Sequence, residues 1–145
     1  MIVHPAPGHE EQALTDFVVR HDPSIKGVGS EERPGIVHRL DIWTSGVMVI
    51  AKTPRAYSFL RRQFEEHSRV RKTYLAVVHG TPAEDSGTLR DLLLRNKAER
   101  KTYVVTQPQK DAQEAVLDYA RLAEADGLSK VRIVLRTGRT HQIRC

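Results

Sequence analysis

The sequence predicts an α+β fold with a mixed, mainly antiparallel sheet and flanking helices. Several short segments are continuously apolar or alternate apolar with polar residues, as β-strands do. One segment, residues 54–67, has its apolar residues at helical spacing instead. The dipeptide Asp126-Gly127, between two strand-like segments, is typical of the tight turn of an antiparallel hairpin.

The chain has 145 residues, which suits one domain spanning 1–145, because domains usually contain about 100–200 residues. No repeat, low-complexity tract or linker divides it. It also lacks an apolar stretch of about 18 residues and a basic start followed by an apolar run. We therefore expect a cytoplasmic protein without a membrane span.

The first elements are short. Residues 2–8 predict a strand that runs into a Pro-Gly turn, and residues 12–21 predict a helix stopped by Asp22-Pro23. Residues 26–34 are rich in glycine, serine and charge, so they predict a loop.

A buried strand and a longer helix are predicted next. Residues 46–52 form a continuous apolar run, which favours a buried strand. Thr53 suits a helix N-cap and Pro54 the first helical position. The helix 54–67 then has one apolar face, formed by Ala56, Phe59, Leu60 and Phe64.

The second half of the chain is dominated by strand patterns. Residues 72–79 and 102–106 predict strands, and residues 129–137 alternate apolar with basic residues. Residues 111–125 are ambiguous, because their composition favours a helix. The alternation around Leu117 and the turn that follows favour a strand instead, and we predict a strand because propensity is the weaker signal.

The charge has two interpretations. The chain has 23 Lys and Arg residues against 18 Asp and Glu residues, a net charge of +5. Such an excess is typical of proteins that bind a polyanion, but basic residues also occur on ordinary solvated surfaces. The basic residues form two groups, Arg61, Arg62, Arg69, Arg71 and Lys72, and then Arg132, Arg136, Arg139 and Arg144.

Common catalytic motifs are missing from the sequence. It contains no phosphate-binding Gly-rich loop, no His-Glu-x-x-His and no Gly-x-Ser-x-Gly. Its one cysteine, Cys145, excludes a disulfide framework and a Cys-based zinc site. We therefore expect no zinc site.

One segment, residues 38–46, concentrates polar groups directly before the apolar run. Such groups are costly to bury unless they are paired, so the pattern indicates a pocket wall. Arg39 lies close to Asp41 and favours its ionised form. An ionised, oriented carboxylate is a candidate nucleophile or base.

Three separated motifs resemble those of the RluA-type family of RNA pseudouridine synthases. Residues 33–41 with 44–46 (RPGIVHRLD and TSG) resemble its central motif, and residues 72–80 (KTYLAVVHG) its tyrosine-bearing strand. Residues 137–144 (TGRTHQIR) resemble its arginine motif, and residues 4–8 (HPAPG) also match. The motifs occur in the family's order and span almost the whole chain.

The resemblance implies an enzyme that isomerises uridine in RNA to pseudouridine without a metal or cofactor. Ribosomal RNA is the first candidate substrate and transfer RNA the second. The family's catalytic aspartate corresponds to Asp41. Whether this carboxylate attacks C1′ of the ribose or assists departure of the base, it must be ionised and close to the sugar.

Further site residues follow from the same resemblance. Tyr74 matches the tyrosine that lies against the target uracil, although taken alone it suits a core strand equally well. Arg144 matches the arginine that pairs with the catalytic aspartate. The other residues expected to bind substrate are His38, Arg39, Leu40, Arg139 and His141.

The chain departs from the family pattern at three places. Ile42 and Trp43 follow Asp41, where the family usually has a basic residue directly after the aspartate. We expect no S4-type RNA-binding domain, and we expect the catalytic domain to be incomplete at both ends. A non-catalytic RNA-binding remnant is therefore one alternative. A glycoside or nucleoside hydrolase, which would release free uracil, is another.

Overall fold

The computed structural model describes residues 2–3, 12–66, 69–99 and 101–145. They fall into two compact units, Met1–Arg69 and Val70–Cys145. The helices lie in the first unit and a five-stranded antiparallel sheet in the second, which confirms the predicted α+β class. Within these residues no helix is long and apolar enough to cross a membrane. The single domain 1–145 stays a prediction.

Helix α1 spans Leu14–His21 and confirms the predicted helix 12–21, starting two residues later. The N–H groups at its start find acceptors other than the carbonyls of the helix, as helix starts require. The Ala13 N–H donates to the Asp16 carboxylate at 2.8 Å, and the Leu14 N–H donates to the Ile2 carbonyl at 2.9 Å. Ile2 itself is not in a strand, and residues 4–8 of the predicted first strand lie outside the described residues.

A short 3₁₀ helix, Pro23–Ile25, follows directly. Asp22 caps it by accepting from the Ser24 N–H at 3.2 Å, and its carboxylate lies 2.7 Å from the Lys52 ammonium. The hydrogen bond from Lys52 is the main cause that lowers the pKa of Asp22 to about 2. This pair ties the end of α1 to the segment before the second helix.

The predicted loop 26–34 contains two short paired segments, β1 (Gly29–Ser30) and β2 (Arg33–Pro34). Helix α2 spans Pro54–Glu66, so the predicted helix 54–67 is confirmed up to its last described residue. The Thr53 hydroxyl accepts from the Ala56 N–H at 3.2 Å, as expected of an N-cap.

The predicted strand 46–52 is wrong. In this segment only Ile50 forms a β-bridge, an isolated one with Ile36, and the Ala51 N–H donates to the Gly35 carbonyl at 2.9 Å. Val47 is 87% exposed, so the apolar run does not lie in a core. Only its end enters the core of the first unit, which consists of Ile25, Val28 and Ala51 with Val18, Val37, Ile50, Ala56, Tyr57 and Leu60 around them.

Gly35 makes this close approach possible. Its φ is +70°, and a Cβ on it would lie 2.6 Å from the Ala51 carbonyl oxygen. We expect Gly35→Ala to destabilise the first unit by at least about 1–2 kcal/mol, the usual cost of a left-handed backbone for a residue with a Cβ. Denaturant unfolding would measure it. Gly27→Ala is the control, since it shares the positive φ in open space; an equal effect at both positions would contradict the close-packing argument.

The sheet of the second unit has the strand order β3-β7-β6-β4-β5. Its strands are β3 (Lys72–His79), β4 (Ser86–Asn96), β5 (Lys101–Val105), β6 (Gln113–Ala125) and β7 (Leu128–Leu135). The predicted strands 72–79, 102–106 and 129–137 are confirmed within about two residues, and 111–125 is a strand rather than a helix. Strand β4 was not predicted, because its solvent-facing positions include glycine, arginine and aspartate rather than a clear alternation.

One face of this sheet carries the core of the second unit. Leu117, Val131 and Ile133 are buried there, with Tyr74 and Ala76 of β3 packed against them. Ser129 is completely buried in β7, and its hydroxyl donates to the Gly80 carbonyl at 2.7 Å. The sheet thus fixes the strand that bears Tyr74 against the β6–β7 hairpin.

Candidate active site

His38 anchors the loop that carries His38, Arg39, Leu40 and Asp41 through a hydrogen bond. The Val49 N–H donates to His38 Nε2 at 2.9 Å, across eleven residues of chain. The imidazole also stacks on the Phe64 ring of α2, with centroids 4.4 Å apart and planes at 10°. Since Nε2 accepts, the neutral ring carries its proton on Nδ1.

Asp41 begins a tight turn within this loop. The Thr44 N–H donates to the Asp41 carbonyl at 2.9 Å. The Asp41 side chain is half-buried, whereas Arg39 is exposed. Leu40 packs beside Gly46, where an added Cβ would lie 3.4 Å from its Cδ1 atom. The backbone around Asp41 is therefore defined by a turn on one side and by the His38 bond on the other.

Removing the acceptor on His38 tests this fastening. His38→Phe keeps an aromatic ring against Phe64 but leaves the Val49 N–H without its partner, so we expect faster amide hydrogen exchange at Val49. A net hydrogen-bond contribution of about 1 kcal/mol corresponds to roughly fivefold faster exchange. His38→Gln retains an acceptor and should restore part of the protection. Unchanged exchange in His38→Phe, compared with the exposed control His79→Phe, would contradict the role of the bond.

Tyr74 lies in β3 of the second unit, directly opposite Ile133 of β7. Its side chain is half-buried and packs against the cluster of Leu117, Val131 and Ile133. Part of the ring thus stabilises the sheet and part stays accessible.

A buried glutamine organises the arginine motif. Gln142 is only 7% exposed, and its Oε1 accepts from the Thr137 hydroxyl at 2.8 Å and from the Arg139 N–H at 3.0 Å. Its Nε2 donates to the Val116 carbonyl at 3.1 Å. The Thr137 hydroxyl in turn accepts from the Val116 N–H at 2.8 Å. These bonds hold the turn after β7 against β6.

The other motif residues project from this turn. The Arg139 guanidinium donates through Nε to the Glu114 carbonyl at 2.8 Å. His141 has a φ of +58°, an uncommon left-handed conformation for a residue with a side chain. The Arg144 N–H donates to the His141 carbonyl at 2.8 Å, and the Arg144 side chain is exposed.

Several residues of the two basic groups are engaged in ion pairs. Arg61 pairs with Glu65 at 2.7 Å, and Arg136 pairs with Asp118 at 2.7 Å, which lowers the pKa of Asp118. Lys72 is half-buried, and this burial lowers its pKa. The exposed arginines of these groups include Arg69, Arg71 and Arg132.

A cavity of about 440 Å³ opens on the sheet of the second unit. Its lining is mainly apolar and includes Leu89, Leu93, Ile143 and Cys145. Burial raises the pKa of the Cys145 thiol. None of the residues expected to act on substrate lines this cavity. Among the described residues, no group of three or more His, Cys, Asp or Glu side chains is arranged to hold a metal ion.

The predicted site residues form two sets. His38, Arg39, Leu40 and Asp41 share one loop of the first unit, and Tyr74, Arg139, His141 and Arg144 belong to the second unit. The pairing of Asp41 with Arg144 stays a prediction. The sequence did not predict the structural role of Gln142. The available signal was its place in the motif at residues 137–144, between the Thr-Gly dipeptide and Ile143. The sequence also did not predict Phe64 as the partner of His38.

All residues, 1–145, match the family described as RNA pseudouridylate synthase. The chain belongs to the RluA-type family of RNA pseudouridine synthases. It is 40% identical over 144 residues to the uncharacterized RNA pseudouridine synthase YlyB of Bacillus subtilis, covering 99% of this chain and 46% of that protein. It is 36% identical over 145 residues to ribosomal large subunit pseudouridine synthase D of Zymomonas mobilis, covering 99% of this chain and 45% of that protein.

The solved structures agree with this family. Human RNA pseudouridylate synthase domain containing 4 superposes with a TM-score of 0.73 at 25% identity, covering 99% of this chain and 57% of the human one. This RluA-type chain spans less than half the length of the two bacterial relatives named above.

Proposed function

We propose that this protein isomerises uridine in RNA to pseudouridine, with Asp41 as the catalytic residue. The observation that carries the proposal is the family match over residues 1–145, which includes the His-Arg-Leu-Asp segment. The fastening of that segment by His38 and by the turn at Thr44 supports it, because a carboxylate that acts on a sugar must be held in one orientation.

The proposed reaction leaves the composition of the base unchanged and exchanges one of its protons with water. The bond from ribose C1′ to uracil N1 breaks, the uracil turns, and C1′ bonds to C5. The proton on C5 is lost and N1 gains one. The Asp41 carboxylate acts at C1′, and Tyr74 lies against the uracil as the candidate to handle the C5 proton. Arg144 is the proposed partner of the Asp41 carboxylate.

The proposed substrate is structured RNA. The net charge of +5 and the exposed side chains of Arg39, Arg69, Arg71 and Arg132 suit phosphate contacts that position RNA without reading its sequence. His38, Leu40, Arg139 and His141 complete the proposed substrate-binding set. Relatives from Zymomonas mobilis, Borreliella burgdorferi and Blochmanniella floridana are named ribosomal large subunit pseudouridine synthase D. We therefore propose ribosomal RNA ahead of transfer RNA as the substrate. We also propose the cytoplasm as the place of action.

The test uses RNA labelled with tritium at C5 of uridine. Isomerisation releases the label into water and leaves pseudouridine in the RNA, which chromatography of the digested nucleosides detects. Free uracil would instead identify a hydrolase and contradict the proposal. Parallel assays with ribosomal and transfer RNA transcripts compare the two candidate substrates.

A second candidate is RNA binding without turnover, because the exposed side chains of Arg69, Arg71 and Arg132 suit phosphate contacts whether or not Asp41 acts on the sugar. This candidate predicts RNA affinity that falls steeply with salt, as phosphate contacts require. Binding of that kind without tritium release would favour it over the isomerase.

A further inference from the structure

The turn after Asp41 presents apolar side chains to solvent. Trp43 is 90% exposed, more than any other large hydrophobic side chain in the described part of the chain. In the same loop, Ile42 is 43% exposed and Val47 is 87% exposed. Single exposed hydrophobic residues are ordinary, but several in one short loop indicate a surface that binds a partner.

The local backbone places Trp43 close to Asp41 along the chain. The bond from the Thr44 N–H to the Asp41 carbonyl, at 2.9 Å, closes a four-residue turn with Ile42 and Trp43 at its two corners. The indole therefore projects from a turn that begins at Asp41. The exposed Arg39 lies on the other side of Asp41 in the same loop.

The chemistry of the proposed reaction favours a nucleic-acid base as the partner. A carboxylate reaches the target sugar only when the uridine leaves its stack, which uncovers the faces of the neighbouring bases. An aromatic side chain stacks on such a face whatever the identity of the base. Ile42 and Trp43 follow Asp41 directly, so this turn carries an aromatic side chain and no cation.

We propose that Trp43 stacks on an RNA base adjacent to the target uridine. This inference rests on the proposed function, since it takes RNA as the substrate of the Asp41 loop. It assigns Trp43 a contact that is insensitive to salt, in contrast to the phosphate contacts of the arginines.

The chain contains one tryptophan and four tyrosines, so fluorescence excited at the long-wavelength edge, where only indole absorbs, reports on Trp43 alone. The experiment titrates the protein with an RNA hairpin that has uridine in its loop, and with heparin as a polyanion without bases. Anisotropy of a labelled hairpin measures binding in parallel. We expect the hairpin to quench the fluorescence along the binding curve, whereas heparin should bind without quenching.

Matched variants separate stacking from folding. Trp43→Ala should raise Kd about 5- to 150-fold, which corresponds to about 1–3 kcal/mol at tenfold per 1.4 kcal/mol. Trp43→Phe should recover most of the affinity. Phe17→Ala, an exposed aromatic of α1, should leave Kd unchanged. In turnover assays Trp43→Ala should raise KM with kcat retained, because the contact is made before and during the reaction alike.

Five outcomes overturn the inference or its basis. RNA binding without quenching, or equal affinity of Trp43→Ala, overturns the stacking while tritium release still supports the isomerase. An indole that is shielded from iodide in the absence of RNA also overturns it, because protein then covers Trp43. Quenching without tritium release keeps the stacking and rejects the isomerase. A chain that does not bind RNA rejects both.

Discussion

Asp41→Asn is expected to abolish tritium release from RNA labelled at C5 of uridine, with a loss of about 1,000-fold or more in turnover. Asparagine has nearly the same shape as aspartate but lacks the ionised carboxylate on which the proposed chemistry at C1′ depends. The surrounding turn uses the backbone carbonyl of residue 41, which the substitution retains. RNA affinity should therefore change little while turnover disappears.

The control for this prediction is the same substitution at an exposed aspartate. Asp126 occupies the β6–β7 turn with a φ of +53°, a conformation that asparagine also adopts readily. Asp126→Asn should release tritium at the rate of the parent chain. Turnover by Asp41→Asn comparable to the parent would remove Asp41 from the catalytic role, and equal losses in both variants would point to misfolding instead.

Gln142→Leu is expected to lower the free energy of unfolding of the Val70–Cys145 unit by about 2 kcal/mol. Leucine fits the volume, but the Arg139 N–H loses the amide oxygen that accepts from it, and the Thr137 hydroxyl keeps only its longer bond to the Val116 carbonyl at 3.3 Å. Each buried polar group left without a partner costs about 1–3 kcal/mol. The Val116 carbonyl is less affected, because the Arg136 N–H also donates to it at 3.0 Å.

Denaturant unfolding, followed by hydrogen exchange at the Arg139 amide, measures this effect. Gln113→Leu provides the matched control, since Gln113 is an exposed residue of β6 in the same sheet. We expect the control to change the free energy of unfolding by less than about 0.5 kcal/mol, as exposed substitutions usually do. Similar losses for both variants would show that the buried amide network does not stabilise the turn.

The sequence predicted those elements whose pattern and boundaries agree. Helix α2 has an N-cap threonine, a first-turn proline and an apolar face, and the β6–β7 hairpin has alternation on both sides of Asp126-Gly127. The strand predicted at 46–52 was wrong because the prediction assumed that a continuous apolar run is buried. In the structure, residues of this run such as Val47 face solvent. Strand β4 was missed because its pairing with β6 and β5, rather than its own composition, makes it a strand.

The sequence motifs predicted which residues of the candidate site react, but not how these residues are held. Asp41 and Tyr74 follow from their segments, whereas the contacts that hold them do not. The bond from the Val49 N–H to His38 spans eleven residues, and the Phe64 ring comes from a different element. Gln142 likewise holds its turn by donating to the carbonyl of Val116, a residue that is distant in sequence. Such partners are set by tertiary packing, so a local pattern carries no signal for them.

The pairing of β3 with β7 has a consequence for the order in which the sheet assembles. Strands β6 and β7 are joined by a two-residue turn, whereas the Gly80 N–H must find the Gly127 carbonyl, at 2.7 Å, across the whole of β4, β5 and β6. Closing a long loop is entropically costlier and slower than zipping a hairpin. We therefore expect β3 to join last, so the strand that bears Tyr74 becomes ordered only once the rest of the sheet exists to receive it.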